Sequence, residues 1–98
     1  MEWIWNEHKA ATNWRDHRVL FETATLVFND EHRLTLPDPH PDGDRWRTIG
    51  SAGTRTLFVV HTEADEDENE PGRIISARRA TPTERRTYEA LRLKRHHA

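Results

Sequence analysis

Apolar and polar positions along this chain follow two different periods, and each change of period marks an element. Glu2–Trp5 is aromatic and β-branched, with Trp3 and Trp5 on one face, and predicts a short strand. Asn6 is a good N-cap for a helix over Asn6–His17, whose inward face carries Ala10, Asn13/Trp14 and His17 at helical spacing. After a break at Asp16-His17-Arg18, a second helix is predicted over Leu20–Asn29, with Leu20, Ala24, Val27 and Phe28 as its stripe. Arg33–Leu36 is a short strand. Pro37–Asp44 holds three prolines and a glycine in eight residues and reads as an exposed loop. Strand character resumes over Arg45–Ser51, turns at Ala52-Gly53-Thr54, and returns over Arg55–Thr62, apolar enough for the centre of a sheet. The acidic loop Glu63–Gly72 is expected to be mobile through like-charge repulsion, and Arg73–Arg79 is the last strand. Thr81, Pro82 and Glu84 then form a helix start: N-cap, N1 proline and capping-box glutamate. That helix runs to about Arg95 on a thin stripe of Tyr88, Ala90, Leu91 and Leu93.

The resulting order is β-α-α-β-β-β-β-α. Short connections make the last four strands an antiparallel meander. The class is α+β: a small antiparallel sheet of about five strands with two N-terminal helices and one C-terminal helix. The helices are expected on one face, with the other face partly free. Residues 1–98 read as a single domain.

Composition adds that the core is small, because 34% of residues are hydrophobic and 33% charged. A partner covering part of that surface fits this balance. The absence of cysteine excludes disulfides, thiol catalysis and thiolate metal sites. No apolar run reaches the roughly 20 residues of a membrane span, and the start lacks a signal-peptide pattern, so a cytoplasmic protein without membrane association is expected. Net charge is −2, but it is polarised. Residues 1–72 carry 7 Lys/Arg against 15 Asp/Glu, a balance of −8, whereas residues 73–98 carry 8 against 2, a balance of +6. The C-terminal quarter therefore presents a local positive field.

Seven histidines invite a metal, yet no HExxH or His/carboxylate cluster at ligand spacing is present; His40 sits in the proline loop and His96-His97 in a tail expected to fray. No metal and no cofactor is expected. Glycine-rich phosphate loops are missing, and Ser51 and Ser76 lie in strand patterns rather than at a nucleophile elbow. What remains is arginine with scattered histidine and carboxylate. A guanidinium binds phosphate oxygens bidentately and stays charged. A histidine moves protons near neutrality. RNA supplies its own nucleophile, the 2′-OH, so a protein need only align it, move two protons and stabilise the phosphorane charge. By strand alternation Ile74, Ser76 and Arg78 share one face, Arg73, Ile75, Ala77 and Arg79 the other, so Arg78 joins Arg73 only if a bulge intervenes. Other readings stand beside these. The arginine helix fits a solvated face with internal salt bridges, His61 a structural histidine, and Tyr88 a packing residue. Trp3, Trp5 and Trp14 read as core, and Trp46 as an exposed stacking platform.

Several segments together resemble a known family. Trp5-Asn6-Glu7-His8-Lys9, Asn13, Asp16-His17-Arg18-Val19 and Phe21-Glu22 are similar to the W-D-x-x-K…N…K-H-G-V-x-F-E opening of BrnT-type toxins. Arg47-Thr48-Ile49-Gly50, Leu57–Glu63, Arg73–Ala80 and Glu84–Glu89 resemble that family's later segments in the same order. The resemblance implies a RelE-like fold and a ribonuclease toxin of a type II toxin–antitoxin pair that halts translation. It also implies a BrnA-like antitoxin with a ribbon-helix-helix element, through which alone the complex would reach operator DNA. RNA, as mRNA free or on the ribosome, is the expected substrate, cut without a metal. Arg78 is the first candidate for phosphate and transition-state contact, followed by Arg73 and Arg79, with Arg47, Arg85 and Tyr88 as further RNA contacts. Lys9, His17 and His61 are candidates for proton transfer or charge stabilisation; Glu63 and Glu84 are candidates for a base or for orienting an arginine. The rival reading is a non-catalytic nucleic-acid-binding or protein-interaction module. Three departures stand out. Asn6 replaces Asp. Arg18 stands where glycine implies positive φ. The 63–72 loop is long and acidic, suited to mimicking phosphate against the basic helix.

Overall fold

The structure is a computed structural model that describes residues 2–41, 43–65 and 67–97, the last two without their side chains. Its elements are β1 (Trp3–Ile4), α1 (Glu7–His17), α2 (Phe21–Ala24) running into a 3₁₀ turn (Thr25–Asn29), β2 (Leu34–Pro37), β3 (Trp46–Ala52), β4 (Arg55–His61), β5 (Gly72–Arg79) and α3 (Pro82–His97). The order is the expected one, and the class is α+β. Five strands line up as β1-β5-β4-β3-β2. β2 to β5 form the antiparallel meander, while β1 adds in parallel along β5, pairing Trp3 with Gly72 and Ile4 with Arg73, so the sheet is mixed. Gly72 is required there: a Cβ would lie 2.2 Å from the Trp3 ring.

Local chemistry sets the helix ends. Asn6 caps α1 by accepting the Lys9 N–H at 3.0 Å. Arg18 ends it in the left-handed conformation, φ 56° and ψ 38°, with its N–H on the Trp14 carbonyl at 2.9 Å. The second helix is shorter than its apolar pattern predicts. After one turn it tightens to 3₁₀, burying Phe21, Ala24 and Val27 but leaving Leu20 exposed as the N-cap residue. The capping box of α3 forms as expected: the Thr81 N–H donates to Glu84 Oε1 at 2.8 Å, and the Glu84 N–H to Thr81 Oγ1 at 3.2 Å. Backbone helix continues through His97, past the expected fraying; the side chains of His96 and His97 lie outside those described.

The core occupies one face of the sheet. Ala52, Leu57, Val59, Ile74 and Ala77 meet Val19, Phe21, Ala24 and Val27. Trp3 stacks on Phe28 with ring centroids 3.9 Å apart, and Trp5 meets Phe21 edge-on, so both tryptophans serve this core. Trp14 does not; it is 43% exposed, with the Arg18 guanidinium 5.4 Å from its ring. The third helix is not on the core face. Its first turns lie across the opposite face, over Leu34, Ile49 and Phe58, so the helices divide between the two sides of the sheet. Of its stripe only Tyr88 is buried; Leu91 is half-buried and Leu93 exposed. No helix among the described residues is long and apolar enough to cross a membrane.

Asn13 fixes α1 to the sheet. β1 covers the outer edge of β5 only as far as Arg73, leaving the backbone of Ala77 without a strand partner on that side. The buried Asn13 amide takes the strand's place. Its Oδ1 accepts the Ala77 N–H at 3.0 Å, and its Nδ2 donates to the carbonyls of Ala77 at 2.8 Å and Val19 at 2.9 Å.

Candidate functional site on the arginine face

The second face of the sheet carries Arg47 and Ile49 from β3, Phe58 and Val60 from β4, and Ser76 and Arg78 from β5. Phe58 stands between Ile49 and Arg78, and Val60 between Arg47 and Ser76. A bulge decides who else belongs. Val60 pairs with Ser76 but His61 with Ile74, so Ile75 is the extra residue. Ile74 and Ala77 therefore both turn into the core, and Arg73 comes to the same face as Arg78. Arg79, paired with Leu57, belongs to the core side at the strand's end. Continuing the alternation back from Arg47 places Arg45 on the arginine face as well.

Arg78 is held on three sides. Its guanidinium lies 4.1 Å from the Phe58 ring centroid. Nη1 and Nη2 donate to the two Glu84 carboxylate oxygens at 2.8 and 3.0 Å, and Nη1 also to the Arg79 carbonyl at 3.1 Å. The Glu84 bonds hold the arginine charged more firmly than usual; reciprocally, Arg78 and then the Thr81 N–H hold Glu84 below the usual carboxylate range against the pull of burial. A guanidinium has five N–H donors. Glu84 and the Arg79 carbonyl take three of them, which leaves Nε–H and one hydrogen on Nη2. Those two suffice for a bidentate contact to a phosphate oxygen pair. Nearby, the Nε atoms of Arg45 and Arg47 are buried without a hydrogen-bond partner.

Lys9 and His17 are both exposed and lie four residues either side of Asn13, on one stripe of α1. Because Asn13 is pinned to Ala77, this stripe meets the outer edge of β5 at Ala77, with Lys9 and His17 about 6 Å along the helix to either side. Arg85 is exposed on α3.

Other candidates are not brought to Arg78. His61 is buried on the core face. Its Nδ1 bonds the Thr62 carbonyl at 2.8 Å, so Nε2 accepts from the Thr48 hydroxyl at 2.7 Å, and Trp3 and Phe28 present their rings edge-on. Burial pulls its pKa down. It is a core histidine. Tyr88 is likewise a packing residue: its hydroxyl donates to Asp30, which also accepts the N–H groups of Ser51 and His32, and burial with that carboxylate pushes the phenol up to about 12. Glu63 lies with Asp44, Asp65 and Glu70 around an acidic hollow, its N–H on Asp44. The acidic loop closes on itself through an Asp65–Glu70 backbone pair, and no ion pair among the described residues joins it to α3. Trp46 is half-buried opposite His61 and does not reach the arginine face. Among the described residues no group of three or more His, Asp or Glu is placed to hold a metal ion.

Sequence reasoning gave Phe58 and Asn13 no part in building the site. Alternation could have found Phe58, since it separates Phe58 and Val60 from Leu57 and Val59. Helical spacing put Asn13 on the inward face of α1, but nothing local announces its partner, 64 residues away.

A family model described as ribonuclease toxin, BrnT, of type II toxin–antitoxin systems matches residues 5–84. No curated protein matches the chain.

Proposed function

The chain belongs to the BrnT family of ribonuclease toxins of type II toxin–antitoxin systems, and from that premise we propose that it cuts RNA on the arginine face by attack of the 2′-OH, with no metal. The carrying observation is Arg78: aligned by Phe58 and Glu84, it still has two adjacent donors for a phosphate. Pre-aligned charge of this kind stabilises a phosphorane without reorganisation. Arg47 and Arg73, on the same face, hold the flanking backbone; Arg79 and Arg85 steer from the strand end and α3. Lys9 and His17, on the α1 stripe against β5, are the proton-transfer candidates. Glu84 acts as the orienting group for Arg78 rather than as the base, because both its oxygens are engaged.

The toxin acts in the cytoplasm on mRNA, in this reading within a RelE-like architecture. A BrnA-like antitoxin with a ribbon-helix-helix element neutralises it and carries the pair to operator DNA. Purified protein incubated with RNA in EDTA, alone and with ribosomes, is expected to yield fragments ending in 2′,3′-cyclic phosphate, and Arg78→Ala to stop this while remaining folded. Binding without fragments under both conditions would identify a non-catalytic nucleic-acid-binding module instead. Cleavage that EDTA abolishes would remove the metal-free step.

A further inference from the structure

Where α3 crosses the arginine face it leaves a groove of about 180 Å³. Leu34, Leu36, Ile49 and Phe58 form its floor, Thr83 and Thr87 its far wall, and Arg47 lines it as well. It opens at β2, the outermost strand of the sheet, where Leu36 is 40% exposed. The groove touches the candidate active site directly, because Phe58 lies under Arg78 and Glu84 holds it.

Its volume is below the roughly 300–1,000 Å³ of ordinary small-molecule sites, so it takes one side chain or one ring. A nucleobase is the first occupant to consider, given the neighbouring arginines. The polar groups argue against it. Thr87 Oγ1 already donates to the Thr83 carbonyl at 3.1 Å, Thr83 Oγ1 accepts from Arg86 at 3.2 Å, and both Glu84 oxygens are on Arg78. Apart from Arg47, a buried base edge would find little to pair with on this lining, and unpaired polar groups discriminate strongly against a ligand. An apolar side chain loses nothing there. Beside it, the spare donors of Arg78 and the positive charge of Arg47, which lines the groove, match carboxylates.

We propose that this groove seats an apolar side chain of the antitoxin, carried on an acidic extended segment that runs along β2 and covers Arg78. Neutralisation would then be direct: the segment fills the groove and lays its carboxylates where RNA phosphates bind. The inference rests on the toxin reading only for the existence of an antitoxin.

The absence of cysteine makes a footprint clean. Leu36→Cys and Thr87→Cys report on the groove, and Ala11→Cys, exposed on α1, is the control. Each is labelled with a maleimide, alone, with the antitoxin (the protein whose co-expression relieves growth arrest), and with a 2′-O-methyl RNA that cannot be cut. Antitoxin at ten times its Kd is expected to slow labelling of both groove cysteines about tenfold and to leave Ala11→Cys unchanged. RNA should leave the groove cysteines within about twofold. Leu36→Asp, at a half-exposed position, should weaken antitoxin binding about tenfold to a hundredfold while RNA cleavage persists. Protection by RNA and not by antitoxin would make the groove a base site and overturn the proposal. So would protection by neither, or normal neutralisation of Leu36→Asp. Groove protection by antitoxin in a protein that cuts no RNA would instead fault the nuclease reading and leave this one standing.

Discussion

The core face and the arginine face are made by alternate residues of the same strands, and they treat polar groups in opposite ways. On the core face the buried polar side chains among the described residues, Asn13, Thr48 and His61, are closed off. His61 uses both ring nitrogens, Thr48 bridges Thr35 and His61, and Asn13 makes three bonds. On the arginine face donors are left open: two on Arg78, and the buried Nε groups of Arg45 and Arg47. Buried polar groups without partners are costly, so where they persist the structure is spending stability on something else. Saturation, more than residue type, separates the two faces: the histidine has both nitrogens engaged, and the arginines keep the donors that the proposed RNA contacts would use.

The sharpest way to break that contrast is Arg78→Ala. RNA cleavage should fall by about a hundredfold or more, with far-UV circular dichroism unchanged; retained cleavage would empty the arginine face of its function. Asn13→Ala should do the reverse. It leaves three backbone groups unpaired, so stability should drop by about 3 kcal/mol or more in urea titrations, while the folded fraction still cuts RNA. His61→Ala should cost about 2–4 kcal/mol with specific activity retained; loss of cleavage at undiminished stability would return His61 to the site. The same residue sets a pH dependence. Burial depresses its folded pKa below the usual 6.5, so the unfolded chain takes the proton first. Stability is full above that value and falls as pH drops below it toward the depressed one. The urea midpoint of the wild type should decline from about pH 7.5 to 5.5, and that slope should vanish in His61→Ala. The smallest expected effect is Arg18→Gly, which relieves the left-handed cap and should raise stability by about 0.5–1 kcal/mol with cleavage unaltered.

Much of this was legible in the chain. The capping box of α3, the Asn6 cap and the order of elements follow from residues within a few positions of one another, while the positive φ at Arg18 was implied by the family resemblance. The strand readings failed where a remote partner decides. Alternation alone assigned Ile74 and Ala77 to opposite faces, and the bulge at Ile75 reunited them. That single extra residue also delivered Arg73 to Arg78. His61 carried the right chemistry for a proton shuttle, yet Thr48, Trp3 and Phe28, distant in sequence, enclose it. The side of the sheet taken by α3 depends on Tyr88 reaching Asp30, a contact 58 residues long that no period encodes.

The Asn13–Ala77 contact has a consequence for how the molecule behaves in a crowded solution. β1 is two residues long, so most of the outer edge of β5 would otherwise offer bare N–H and C=O groups to any passing strand. Open edges of this kind recruit other chains and seed fibrils. By occupying the Ala77 pair and laying α1 alongside, Asn13 acts as a plug against self-association. One amide thus keeps a stretch of sheet edge closed to other strands.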